Sequence, residues 1–135
     1  AGGVGLSSSG KKDILKFIHR NKTAALIKAS LCIGAVLAGA GGKELRRLER
    51  FGEKIGLVFQ IVDDILDETK TAEDLGKSNS DKTNKKLTYP GVYGLEASVG
   101  KAEKLVKGAN LELDVFGKRS EYLKLIAEYF IKRSK

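Results

Sequence analysis

The stretch Gly56-Leu57-Val58-Phe59-Gln60-Ile61-Val62-Asp63-Asp64-Ile65-Leu66-Asp67 decides how the rest of the chain is read. At about 100° per residue, Gln60, Asp63, Asp64 and Asp67 fall within an arc of roughly 100°. Glu53 and Gly56 extend the same stripe toward the amino end, while Ile55, Val58, Phe59, Ile61, Val62, Ile65 and Leu66 cover most of the remaining circumference. An ordinary surface helix carries one apolar stripe and a broad polar face. Here the proportions are reversed, which predicts a helix buried on most sides with carboxylates along a narrow seam.

Carboxylates crowded within one turn repel one another, and partial burial raises the cost. A hard cation relieves both, and Mg²⁺ commonly takes one or two carboxylates together with the phosphates of a substrate. The spacing of Asp63, Asp64 and Asp67 thus points to a magnesium site for a phosphorylated ligand. The plainer alternative is a solvated acidic face paired with Lys70 and other lysines; the apolar surroundings argue against it.

Working outward, the helical pattern runs from about Lys43 to Thr69, roughly 40 Å at 1.5 Å per residue. Before it, Lys22 to about Ala38 is apolar nearly all round, through Ala24, Leu26, Ile27, Leu31, Ile33, Val36 and Leu37, and such a helix is usually buried. Gly39, Gly41 and Gly42 end that helix, and Asn21 is the expected N-cap. Lys11 to Arg20 reads as a short helix with Ile14, Leu15, Phe17 and Ile18 inward, preceded by a Gly- and Ser-rich end. Residues 70 to 88 lack a period and read as a lysine-rich loop, and Thr88-Tyr89-Pro90-Gly91 as a turn. Val99 to Leu113 and Arg119 to Ser134 read as amphipathic helices. There is no alternating strand pattern and no internal repeat, so the expected fold class is all-α.

Lysine and arginine number 25 against 17 acidic residues, a formal charge of +8 that favours an anionic partner. Nucleic acid is disfavoured, because the lysines are not interleaved with aromatics and no recognition motif appears. Ala29 to Gly42, the longest apolar run, is too short for a bilayer, so no transmembrane segment is expected. A single Cys and a single His exclude an intramolecular disulfide and a Cys/His zinc cluster. Cys32 reads as a packed side chain and His19 as a packing or hydrogen-bonding residue at a helix end rather than a base. Lys22-Thr23 opens a helix, where free N–H groups favour an anion; an exposed first-turn lysine is the simpler reading. Arg46, Arg47 and Arg50 read as an exposed face. The tail Lys132-Arg133-Ser134-Lys135 suits a helix carboxyl end and could approach a phosphate.

The Gly56–Asp67 stretch closely resembles the second aspartate-rich motif of trans-isoprenyl diphosphate synthases. Ile18-His19-Arg20-Asn21-Lys22-Thr23-Ala24-Ala25-Leu26 resembles the lysine-threonine segment of that family. Leu75-Gly76-Lys77, Lys86-Leu87-Thr88-Tyr89-Pro90 and Gly94-Leu95-Glu96-Ala97-Ser98 follow in the family's order, so the resemblance covers nearly the whole chain. The Thr-Tyr-Pro loop looks most like the short-chain branch, geranylgeranyl diphosphate synthases in particular.

The resemblance implies a helical bundle of the isoprenoid synthase type around a deep cavity, with two aspartate-rich motifs facing each other and Mg²⁺ between them. It implies Asp63 and Asp67 as metal ligands and Asp64 as a support to the metal site, through water. Lys22 and Lys77 would contact the allylic diphosphate, Lys86 would bind substrate, and Thr23 and Gln60 would line the reacting end. The implied substrates are an allylic diphosphate and isopentenyl diphosphate; a homodimer or heterodimer, in the cytoplasm or a plastid, is the implied setting. The first aspartate-rich motif has no counterpart here, since no other Asp-Asp pair occurs. Gly2 and Gly5 stand where the family has Gln and Asp, and the loop from Gly76 to Pro90 is about a residue short. Residues 1–135, which contain no Met, are therefore expected to be the carboxyl-terminal half of a single domain, inactive alone. A non-catalytic or regulatory subunit of a heteromeric synthase is the alternative. A terpene cyclase is disfavoured, because its Asn/Ser/Glu metal motif is missing.

Overall fold

The structure is a computed structural model that describes residues 5, 7–75 and 87–134. Six α-helices follow in order: α1 Ser8–Asn21, α2 Thr23–Leu37, α3 Gly42–Leu75, α4 Tyr89–Tyr93, α5 Leu95–Leu113 and α6 Glu121–Lys132. A 3₁₀ segment, Asp114–Ser120, links α5 to α6 and is broken at Gly117. No strand occurs among the described residues, as the all-α expectation requires.

The long helix α3 is the axis of the molecule. Phe51, Ile55, Val58, Ile61, Val62 and Ile65 are buried along it, joined by Ala102, Val106, Ala109 and Leu113 of α5 and Ala127 of α6. The helix continues six residues past Thr69, so the expected loop from residue 70 begins with helix instead; residues 76–86, with Lys77 and Lys86, lie outside the described residues. Thr88-Tyr89-Pro90-Gly91 is the start of α4 rather than a bare turn. The Thr88 hydroxyl caps it by accepting from Gly91 N at 3.1 Å, and Pro90 sits in the first turn, where its missing N–H costs nothing.

Two glycines let α2 lie directly on α3. A Cβ at Gly56 would stand 2.5 Å from Ala24 Cα, and one at Gly52 2.9 Å from Lys28 Cα. Backbone meets backbone here, so side-chain rotation cannot relieve the overlap. The turn that returns the chain is a Schellman motif. Ala40 N donates to Ala35 O at 2.9 Å, Gly39 N donates to Val36 O at 3.0 Å, and Gly39 takes a φ of 78° that a side chain would resist.

Several helix faces depart from expectation. Only Ala24 and Ala35 are buried on α2, while Leu26, Ile33, Val36 and Leu37 are exposed. Apolarity all round predicts burial, but α2 has α3 along one side, α1 only at its start, and no other helix of the described chain over the rest. On α1 only Leu15 is fully buried among the expected inner residues, and Phe17 is largely exposed. Asn21 does not cap α2: it ends α1, with Nδ2 donating to Phe17 O at 2.9 Å, and Lys22 takes the N-cap place with no side-chain cap.

The expected arginine face is also only partly free. Arg47, Arg50 and Lys54 of α3 all reach Glu112 of α5, at 3.2, 3.0 and 3.1 Å, leaving Arg46 exposed. Burial alone would push the Glu112 carboxyl up, but hydrogen bonds from Lys54 and Arg50 outweigh it and hold the group below its usual 4.5.

Gly56→Ala is expected to destabilise the chain by about 3 kcal/mol, as overpacking against a fixed backbone does; chemical denaturation measures it. A carboxyl with a depressed folded-state pKa stabilises above its unfolded value and loses that contribution as pH falls. Glu112→Gln is therefore expected to cost about 1–2 kcal/mol near neutrality. The gap from the unmodified chain should close as pH drops below 4.5, read as converging melting temperatures.

Candidate functional site

The acidic seam forms where the predicted helix places it, but its members differ in environment. Asp63 is half-buried at the edge of α3, and Asp67, one turn on, is exposed. These two carboxylates share a side of the helix, since residues four apart are neighbours. The guanidinium of Arg133, just past α6, lies 3.6 Å from Asp63 Oδ1 and over the Phe59 ring at 5.8 Å. Phe130 meets Phe59 edge-on at 5.3 Å. The end of α6 is thus seated beside the first aspartate and supplies it with a cation.

Asp64 is turned into the bundle and is only 5% exposed. Its Oδ2 lies 3.1 Å from His19 Nε2 and accepts from Tyr89 N at 2.8 Å. The His19 ring is nearly parallel to that of Tyr89, at 5.8 Å, and Tyr89 packs on Tyr93 at 4.5 Å. Burial raises the Tyr89 phenol, and Tyr93 adds to the effect. Sequence reasoning missed the pairing of Asp64 with His19 and with a backbone N–H. One signal was available: at 100° per residue Asp64 is the member of the seam farthest round from Asp63.

Gln60 is buried on the turn before Asp63 and Asp64. Lys22 is exposed at the break between α1 and α2, and Thr23 behind it is half-buried. The contact of Ala24 with Gly56 brings this break onto α3 one turn from Gln60. Lys22, Thr23, Gln60, Asp63 and Asp67 are therefore carried by two helices in direct backbone contact.

A cavity of about 730 Å³ opens between the end of α1, α2, α3 and α5, lined among others by His19, Arg20, Lys28, Cys32, Glu53 and Leu57. None of the three aspartates lines it, so it is not the site of the acidic chemistry. Lys28 and Glu53 pair there at 2.7 Å, and that hydrogen bond raises the Lys28 ammonium.

The donor set suits a divalent cation in part. Among the described residues no group of three or more His, Cys, Asp or Glu converges on a point. Asp63 and Asp67 supply two carboxylates from one side of a helix, which is what Mg²⁺ needs when phosphate oxygens and water complete its shell.

The polyprenyl synthetase family model matches residues 6–126. The chain belongs to the polyprenyl synthetase family. It is 43% identical to a geranylgeranyl diphosphate synthase of Cyanophora paradoxa, over 97% of this chain and 45% of the relative. It is 50% identical to the chloroplastic heterodimeric geranylgeranyl pyrophosphate synthase large subunit 1 of Arabidopsis thaliana, over 73% of this chain and 27% of the relative. A crystal structure of a Helicobacter pylori geranyltransferase superimposes with a TM-score of 0.63 at 30% identity, covering 90% of this chain and 39% of that one. The all-α isoprenoid synthase fold expected from the sequence is therefore the fold of this chain. The chain spans less than half the length of these relatives.

Asp64→Ala is expected to lower stability by about 3 kcal/mol, because it leaves a buried imidazole and a backbone N–H without their acceptor. A thermal or urea transition measures the loss.

Proposed function

We propose that residues 1–135 are the carboxyl-terminal part of a single isoprenoid synthase domain, a trans-prenyltransferase that elongates an allylic diphosphate with isopentenyl diphosphate. Geranylgeranyl diphosphate is the proposed product, in keeping with the names of the two curated relatives. The observation that carries the reading is the pair Asp63 and Asp67, held one turn apart at the edge of a helix whose middle, Phe51 to Ile65, forms the core of the molecule.

In this reading Asp63 and Asp67 hold Mg²⁺, and Asp64 supports them from inside the bundle. When bound, the metal supplies Lewis-acid stabilisation of the charge on the departing diphosphate. Lys22, with Lys77 and Lys86, binds the diphosphate oxygens and offsets the same charge. Thr23 and Gln60 line the reacting end. The allylic C–O bond breaks and diphosphate leaves with the electron pair. The double bond of isopentenyl diphosphate then forms the new C–C bond, and loss of a proton restores neutrality.

The exposed apolar residues of α2 and α6, Leu26, Ile33, Leu37, Tyr122 and Leu125 among them, support a further point. Faces of this kind are covered in a working protein. The reading assigns the cover to the amino-terminal half of the domain, which would also bring the first aspartate-rich motif. A second reading, a non-catalytic subunit that pairs with a complete synthase, draws on the same faces and on the name of the Arabidopsis large subunit. Homodimer and heterodimer both fit these faces. Plastid and cytoplasm are the proposed compartments, the chloroplastic relative favouring the first. Among the described residues no helix is long and apolar enough to cross a membrane.

The test is a chimaera that joins this chain to the amino-terminal half of the Cyanophora synthase, assayed with labelled isopentenyl diphosphate and Mg²⁺. Elongation by the chimaera and none by the chain alone is expected. Asp63→Asn in the chimaera should cut turnover roughly a hundredfold or more, since amides are poor magnesium ligands. A chimaera indifferent to Asp63→Asn removes the metal assignment; turnover by the chain alone overturns its inactivity.

A further inference from the structure

Three segments distant in sequence meet at one oxygen of Asp64: the end of α1 through His19, the middle of α3, and the first residue of α4 through Tyr89 N. An ionised carboxylate only accepts hydrogen bonds, so His19 Nε2 is the donor of the first contact. His19 and Asp64 are 3% and 5% exposed. At that burial a polar pair persists only if its hydrogen bonds are made.

The consequence lies three residues on. Lys22 interrupts the helical path between α1 and α2 with φ −96° and ψ −130°, and no side chain caps the new helix. The local hydrogen bonds there, Asn21 Nδ2 to Phe17 O at 2.9 Å and Ala25 N to Lys22 O at 3.3 Å, each stay within one helix end and do not tie α1 to α2. Two tertiary contacts flank it: Ala24 on Gly56 after the break, and His19 on Asp64 before it. Both land on α3, two turns apart. The His19 ring is held in turn against Tyr89, and Thr88, just before it, donates to Glu68 Oε2, one turn beyond Asp64, at 3.2 Å.

We propose that His19 and Asp64 are positioning residues that fix the α1–α2 break, and with it Lys22, relative to the face bearing Asp63 and Asp67, and that Asp64 ligates no metal. This rests on the reading of that face as a Mg²⁺-diphosphate site. A metal at Asp64 would compete for an oxygen that already accepts two hydrogen bonds inside the bundle. The pair acts on Lys22 as outer-shell contacts act on the ligands of a metal: it orients a binding group from behind, and losing such a contact typically costs ten- to a hundredfold in affinity for what the oriented group binds, here the phosphate oxygens and not the metal.

The test measures two affinities of the full 135-residue chain by amide NMR titration, for Mg²⁺ alone and for inorganic pyrophosphate at saturating Mg²⁺. Asp63→Asn is expected to weaken Mg²⁺ binding about tenfold or more, and Asp64→Asn to change it less than about twofold. His19→Ala should leave Mg²⁺ affinity unchanged and weaken pyrophosphate about tenfold. His19→Gln, whose amide can still donate to Asp64, should recover most of that loss. Spectra recorded well below each variant's thermal midpoint separate these effects from unfolding. Loss of Mg²⁺ in Asp64→Asn equal to that in Asp63→Asn overturns the proposal, as does unaltered pyrophosphate affinity in His19→Ala or a His19→Gln no better than the alanine variant. If Asp63→Asn binds Mg²⁺ like the unmodified chain, the metal reading of the face fails instead, and the two His19 variants still decide the positioning role.

Discussion

A helix that is packed along its middle and still delivers carboxylates to the outside is under a narrow constraint, and α3 meets it by leaving Asp63 and Asp67 at an edge that the helices packed around it do not cover. The core residues Phe51, Val58, Val62 and Ile65 share one cluster with residues of α5 and α6, Phe59 meets Phe130 of α6, and Gly52 and Gly56 admit α2 at backbone distance. What remains is the edge that carries Asp63 and Asp67. Were either glycine a larger residue, α2 would stand off from α3, and Lys22 with Thr23 would move with it. The spacing between the candidate residues on α2 and on α3 is thus set by how closely the two helices approach.

Charge is distributed over the same frame with some economy. Asp63 has Arg133, Asp64 has His19, and Glu53 has Lys28, each partner coming from a different element. Repulsion along the seam is relieved by the cations Arg133 and Lys28 and by the hydrogen bond between His19 and Asp64. Only Asp64 among the three aspartates is fully committed to the interior. Asp63, at the open edge, is paired with an Arg133 that is itself only about a third exposed.

The central helix was legible because its apolar excess leaves no other reading, and the resemblance of Gly56–Asp67 pointed to the right family. Direction around a helix follows from spacing, but neighbours do not. Asp64 was read with Asp63 because both lie in one arc; that its side meets His19 and Tyr89 N depends on contacts 45 and 25 residues away. Arg47 and Arg50 look like a solvated face for the same reason, since Glu112 is more than sixty residues along. Asn21 is a good capping residue by type, yet the break falls at Lys22, where contacts on either side set the backbone. The apolar surface of α2 was read as buried because composition records what a helix could cover, not what lies against it in a given chain.

Glu112 has one more consequence. The residues that α5 buries are Ser98, Ala102, Val106, Ala109 and Leu113, most of them small enough to leave the axial position of the helix to other contacts. Arg47, Arg50 and Lys54 span two turns of α3 and converge on a single carboxylate. A one-turn slip, about 5.4 Å, would carry that carboxylate away from part of the trio. The ionic cluster therefore works as a pin in a slot: it contributes modestly to cohesion but sets the longitudinal alignment of the two longest helices. Through that alignment it also sets how far the α6 end, and Arg133 with it, reaches along α3.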